Sequence, residues 1–206
     1  MPQITQIKPQ KKSSRVNVYL DGKFAFGVDL DSFVKLGLKA GIELSDNEVK
    51  RIVKKAEFQK TLDKLLRYVS LRPRSEKEIR DYLERKKVYG TMHKELFNRL
   101  KRSGLVDDEQ FAKWWIDQRV QFRSKSKRDI VGELRNKGIE SGLIAKLLQE
   151  SDFNEVKFAK KLLFKNAYKW KKFDQQTGRQ KKAQYLARKG FSWESIKKVV
   201  LIDQEG

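Results

Sequence analysis

The chain has 206 residues, 38% of them hydrophobic and 36% charged, with Trp114, Trp115, Trp170 and Trp193 among its aromatics; it has no cysteine. That is enough apolar material for a core in one or two domains, and the missing cysteines exclude disulfides and thiolate metal sites. The formal net charge is +21, an excess that repels itself on folding and attracts polyanions, so nucleic acid or a nucleoprotein assembly is the expected partner.

Residues 15 to 28, RVNVYLDGKFAFGV, read as a hairpin. Val16, Val18 and Leu20 alternate, Asp21-Gly22 supplies a two-residue turn with positive φ at both positions, and Phe24, Phe26 and Val28 resume the alternation. Ile4 to Lys8 offers a third strand, and so small a sheet must lean on another element. Phe33, Val34, Leu36 and Leu38 suit a short helix ending near Gly37 or Gly41. After Gly41 every stretch reads helical. Ser45 and Glu48 form a capping box, Val49, Ile52, Val53 and Ala56 make one apolar stripe, and Leu62, Leu65, Leu66 and Val69 make the next; Pro73 closes the run.

From there the chain repeats itself. Leu83, Leu134 and Leu186 are anchors 51 and 52 residues apart. Each is followed by a polar tetrad ending at Lys87, Gly138 or Gly190, and then by Val88, Ile139 or Phe191. Four residues before the first two anchors stand Ile79 and Ile130, and Lys182 breaks the pattern in the third. A period of about fifty residues marks a repeat architecture, here three helices per unit. First helices carry Leu62/Leu65/Leu66, Phe111/Ala112/Trp115 and Phe158/Ala159/Leu162, and third helices carry Leu96/Leu100, Ile144/Leu147/Leu148 and Ile196/Val199/Val200. Gly138 and Gly190 end two of the middle helices in the left-handed conformation. Helix starts are expected at Ser75, Asp107 and Ser192. The expected fold is mainly α: three tandem three-helix repeats in an elongated curved array, preceded by a small N-terminal β-hairpin or three-strand element. The boundaries are a hairpin domain at 1–44, a linking helix with repeat 1 at 45–106, repeat 2 at 107–151 and a basic repeat 3 at 152–206.

The segments RPRSEKEIRDYLERK, GLVDDEQFAKWWIDQR, ELRNKGI and YLARKGFSWESIKKV, in this order over about residues 57 to 202, resemble the RecX family, bacterial regulators of the recombinase RecA. The N-terminal hairpin resembles the extension of longer members, mainly from Gram-positive bacteria. The resemblance implies binding along the groove of the RecA–DNA filament by the concave face of the array. It implies inhibition of RecA ATP hydrolysis, strand exchange and LexA cleavage, and in many members direct binding of DNA. It supplies no catalytic motif, and the site residues below rest on charge.

Little chemistry competes with a binding role. His93 is the single histidine and reads as a bystander near a helix start; with no cysteine, a transition-metal site is not expected. Asp107-Asp108-Glu109 reads as a helix opening rather than a magnesium cluster, and no glycine run has Walker spacing. No cofactor, no metal and no enzymatic activity are expected. Trp115 falls on the core face of its helix; Trp114, rotated by about 100°, either packs against the next repeat or is exposed. Trp193 is expected to pack against the preceding helix.

Residues 156 to 200 hold fourteen Lys/Arg against Asp174 and Glu194, a net of +12 and more than half of the total excess. Three basic clusters are the candidate contacts with partner or nucleic acid: Arg119, Arg123, Lys125, Lys127 and Arg128; then Lys160, Lys161, Lys165, Lys169, Lys171 and Lys172; then Arg179, Lys181, Lys182, Arg188 and Lys189. Helical phase places 161, 165, 169 and 172 on one side, suited to following phosphates without reading sequence. The expected partners are the RecA filament and single- and double-stranded DNA. No segment approaches the roughly 20 apolar residues that cross a bilayer, and MPQITQIKPQ lacks an apolar signal segment, so no membrane contact and a cytoplasmic location are expected. No long heptad seam demands a dimer, so a monomer is expected. The rival reading is a helical repeat protein that binds DNA independently of sequence and without RecA.

Overall fold

The computed structural model describes residues 1–11, 14–122 and 124–201, and within them the chain is mainly helical behind a three-stranded sheet. Contacts divide it into two units, residues 1–72 with 83–102, and 73–82 with 103–206.

In the first unit β1 (Ile4–Pro9), β2 (Arg15–Leu20) and β3 (Lys23–Asp29) form an antiparallel sheet in the order β1-β2-β3. Asp21 and Gly22 take φ of 46° and 77°, the paired positive values that the expected turn needs. Val16, Val18, Phe26 and Val28 are buried, whereas Phe24 is 59% exposed. The pairing shifts register between Val18 and Tyr19, so the alternation expected through Phe24 breaks at a bulge, and Phe24 meets Tyr19 edge-on at 5.9 Å. The short α1 (Leu30–Lys35) is capped by Asp29, whose side chain accepts from Ser32 N–H.

The two apolar stripes after Ser45 belong to one 25-residue helix, α2 (Asp46–Ser70), with the Ser45–Glu48 capping box formed in both directions. Ile52 and Ala56 in its first half share a core with the inner face of the sheet, which is the support a sheet of this size requires. Leu62, Leu65 and Val69 in its second half are the buried residues of the first repeat's first helix, and α3 (Glu76–Arg85) and α4 (Gly90–Arg102) complete that repeat.

In the second unit α5 (Asp108–Phe122), α6 (Lys127–Asn136) and α7 (Ser141–Glu150) form the second repeat. The third is α8 (Glu155–Lys165), a 3-10 turn at Ala167–Lys169, α9 (Gln175–Arg188) and α10 (Trp193–Leu201). Val120 and Phe153 pack against the cores of both repeats and join them into one apolar interior.

The three anchors Leu83, Leu134 and Leu186 are fully buried, each accepting a 3.1 Å hydrogen bond from the amide five residues on, at Val88, Ile139 and Phe191. That bond closes the helix only if the residue before it is left-handed. Gly138 and Gly190 have φ of +83° and +81°, and Lys87, at the same place in the first repeat, has +52°. The two glycines also admit a neighbour. A Cβ on Gly138 would lie 2.8 Å from Lys77 Cβ, and one on Gly190 2.8 Å from Ser126 Oγ.

Gly190→Ala is expected to cost about 2–3 kcal/mol in denaturant unfolding, because it adds a collision to the left-handed strain. Gly22→Ala, with an equally positive φ but open space around it, should cost about 1 kcal/mol. Lys87→Gly should stabilise by about 0.5 kcal/mol by removing strain from a side chain that prefers other backbone angles.

Candidate interaction surface

The beginning of a middle helix leaves amide groups without partners inside the helix. In the first and second repeats these starts meet the repeat that follows. Ser75 and Ser126 are both fully buried, and each hydroxyl accepts from the amide three residues on, at Glu78 and Asp129. The next amide is satisfied by a carboxylate from the following repeat: Glu76 N–H donates to Asp108 at 2.8 Å, and Lys127 N–H to Glu155 at 2.9 Å. Lys77 Nζ then donates to the Asn136 carbonyl at 3.0 Å, and Lys137 Nζ pairs with Glu78 at 2.7 Å. Glu155 also accepts from the hydroxyls of Ser192 and Ser195 at 2.5 and 2.8 Å, which ties the start of α10 to the same carboxylate. Burial opposes the charge on Glu155, but the bonds from Ser192, Lys127 and Ser195 together outweigh it, and the carboxyl is held below its usual value of 4.5.

A second ionic cluster sits on the α5–α6 face. Glu133 accepts from Trp115 Nε1 at 2.9 Å and Arg119 Nε at 2.7 Å, and Lys125 Nζ lies 3.2 Å away. The Arg119 guanidinium lies 4.0 Å from the Trp115 ring centre and Lys137 Nζ 4.5 Å from it. Burial opposes ionisation of Glu133, and these donors reverse the effect.

These networks sort the basic candidates. Arg119 and Lys125 are committed to Glu133. Arg123 lies outside the described residues. Lys127 and Arg128 are exposed, with the Arg128 guanidinium close over Gly190. Lys160, Lys161, Lys165, Lys171, Lys172, Lys181 and Arg188 are exposed, and among the described residues no carboxylate pairs with any of them. Lys169 and Lys189 are exposed with their ammonium groups 5.4 and 6.0 Å from the Tyr185 ring, and Arg179 and Lys182 are half-buried.

The expected line of 161, 165, 169 and 172 does not form as one helical face. Asn166 ends α8, its side-chain amide donating to the Leu162 carbonyl at 2.8 Å, and a 3-10 turn carries the chain on. Lys161 and Lys165 stay in phase; Lys169 and Lys172 leave it. Trp115 and Trp114 are half-buried and pack against the second repeat's core. Trp193, expected against the preceding helix, is 63% exposed. His93 Nε2 lies 3.1 Å from the Val88 carbonyl. Asp107 caps the amides of Glu109 and Gln110, Asp108 serves Glu76, and Glu109 pairs with Lys113 at 2.9 Å, so the acidic run is spent on helix starts and a surface pair. Among the described residues no three His, Asp or Glu side chains gather to hold a metal ion, and no helix is long and apolar enough to cross a membrane.

Charge counting did not single out Glu155, Ser126 or Glu133. Ser75 and Ser126 stand eight residues before Leu83 and Leu134, a repeated spacing that carries the signal; Gly178 holds that place in the third repeat, inside α9, which starts a turn earlier from Asp174.

Because the carboxyl pKa of Glu155 is lowered on folding, its contribution is present above the unfolded value and lost as pH falls through the folded one. Stability should therefore drop on acidification below about pH 4.5, and Glu155→Gln should flatten part of that slope while lowering stability at pH 7, as read from urea midpoints across pH. Arg119→Ala should destabilise by about 1–2 kcal/mol by removing one of the three donors to Glu133 and the cation over the Trp115 ring, whereas Lys161→Ala should change the midpoint by less than about 0.5 kcal/mol.

A family model for the RecX N-terminal domain matches residues 2–45, and models for the first, second and third RecX three-helix domains match 62–89, 107–148 and 159–200. "Regulatory protein RecX" of Bacillus licheniformis is 37% identical over 202 residues, covering 95% of this chain and 75% of that protein. Its namesake in Bacillus subtilis is 35% identical over the same shares of each chain. A solved structure described as the crystal structure of regulatory protein RecX superposes with a TM-score of 0.70 at 28% identity, over 97% of this chain and 98% of that one. With every repeat and the sheet matched in order, the chain belongs to the RecX family of regulatory proteins.

Proposed function

We propose that this protein binds the RecA–DNA filament and restrains it, lowering ATP hydrolysis, strand exchange and LexA cleavage during recombination and the SOS response in the cytoplasm. The observation that carries this reading is the distribution of charge in the third repeat. Its helices expose a set of cations that no carboxylate among the described residues pairs with, because the nearby described carboxylates are used elsewhere. Glu155 is held in the joint, Asp174 caps α9 through Thr177 N–H, and Glu194 pairs with Lys198 at 2.8 Å. Such a surface attracts phosphate and acidic protein alike, and a RecA filament offers both along its length. The role is regulatory and non-enzymatic: the protein changes the filament by where it binds, and acts as a single copy of the chain.

The test is RecA's single-strand-dependent ATPase, with the protein added to preformed filaments below equal stoichiometry. The native protein should inhibit. A Lys161→Glu/Lys165→Glu/Lys172→Glu variant, folded by circular dichroism, should lose most of that inhibition. Its affinity for bare duplex DNA should also depend less on salt, by about 0.9 in the log–log slope for each lysine that meets a phosphate. An absence of inhibition by the native protein, together with tight salt-sensitive DNA binding, would favour a DNA-binding repeat protein that acts without RecA.

A further inference from the structure

The third repeat holds a cleft of about 530 Å³ whose lining includes Lys160, Leu163, Phe164, Trp170, Lys171 and Lys182, with no acidic side chain among the described residues that line it. That is within the usual range of about 300–1,000 Å³ for small-ligand sites. Its base is apolar, since Leu163 and Val199 are 7% and 4% exposed, and the exposed ammonium-bearing side chains Lys160 and Lys171 contribute to its walls. Phe164 is 86% exposed, the most exposed of the large apolar side chains described, and it stands in this cationic lining. Tyr168, four residues on, is 68% exposed, with the Lys169 ammonium 5.6 Å from its ring. Trp170, another lining residue, packs against Tyr185 with ring centres 5.4 Å apart.

The ligand must suit all of these features together. A lipid tail would bury the aromatic surface but strand the ammonium groups. An acidic peptide would satisfy the ammonium groups but has no need of a bare phenyl face. A nucleotide answers both, with phosphate oxygens for the lysines and a flat base for the ring. In a duplex the faces of the bases are already stacked on one another, so the base must be unpaired. The cleft is open to solvent, which suits a strand passing through more than an enclosed mononucleotide.

We propose that this cleft seats an unpaired nucleotide of a single strand, its phosphate held by Lys160 and Lys171 and its base stacked on Phe164. The assignment deepens the nucleic-acid part of the function proposed above and rests on it. Stacking accepts any base, so the site distinguishes unpaired from paired DNA and does not read sequence.

The test uses the full chain without recombinase, so that its failure is separate from failure of the RecA reading. Fluorescence anisotropy measures binding of an oligothymidylate of about 16 nucleotides and of an abasic strand of equal length, which keeps every phosphate and lacks every base. The native protein should bind the thymidylate on the order of tenfold more tightly. Phe164→Ala should bind both strands equally, at the abasic level, with an unchanged unfolding midpoint because the ring is exposed; Phe164→Trp should restore the preference. The Lys161→Glu/Lys165→Glu/Lys172→Glu variant should weaken both strands alike and keep the preference. Equal affinity of the native protein for the two strands, or a preference that survives Phe164→Ala, overturns the proposal. So does competition by polyglutamate of matched charge that equals competition by unlabelled strand, which would assign the cleft to an acidic protein. Competition by thymidine monophosphate as effective as the strand, nucleotide for nucleotide, would reassign the cleft to a free nucleotide and overturn the strand assignment.

Discussion

The first amide groups of a helix cannot be satisfied within it, and this protein satisfies them from the next repeat. Asp108 serves the start of α3 and Glu155 the start of α6, each beside a buried serine cap. Each of these bonds contributes on the order of 1 kcal/mol, so a middle helix reaches its full stability only when its neighbour is in place. The same joints require glycine. Lys77 and Ser126 approach Gly138 and Gly190 so closely that the left-handed residue ending the neighbouring middle helix has no room for a side chain. Duplication in the sequence is therefore duplication of an interface as well as of a helical unit.

The joints also shape the electrostatics. A chain of net charge +21 has few carboxylates, and the structure uses them where their charge is most useful to the fold. Asp107 and Asp174 cap helices, Glu133 holds the Trp115–Arg119 stack, and Glu155 closes the joint to the third repeat. What remains on the exposed face of the third repeat, among the described residues, is lysine and arginine that no carboxylate pairs with. Folding cost and binding capacity are linked here: the acids that offset repulsion inside the joints are unavailable to neutralise the surface, and the surface keeps its attraction for a polyanion.

Local signals were legible in the sequence because their partners are close along the chain. The Asp21-Gly22 turn, the Ser45–Glu48 capping box and the glycines after Leu134 and Leu186 each depend on residues within one turn or one hairpin. The anchors were legible because they recur, and fully buried positions tolerate little variation in kind. The features that were not legible depend on contacts distant in sequence or on breaks that periodicity does not show. Arg119 resembles a surface cation until Glu133, fourteen residues on, is seen to hold it. Lys169 and Lys172 continue the phase of Lys161 on paper, but Asn166 ends the helix before them. The bulge opposite Val18 leaves Phe24 exposed, and Trp193 lies in the open beside Lys197, at 5.6 Å from its ammonium, rather than on the preceding helix. For the candidate site, charge located the repeat, and only tertiary structure separated committed cations from available ones.

In this reading the exposed cations of the third repeat that no described carboxylate pairs with form the interaction surface, while the paired ones serve the fold. Lysine acetylation footprinting, read residue by residue with the RecA–DNA filament present and absent, tests it most directly. Lys160, Lys161, Lys165, Lys171, Lys172 and Lys181 should be protected, with Lys113 and Lys198, which pair with Glu109 and Glu194, unchanged. Protection confined to lysines of the sheet or of the first two repeats, with the third repeat fully reactive, would contradict it.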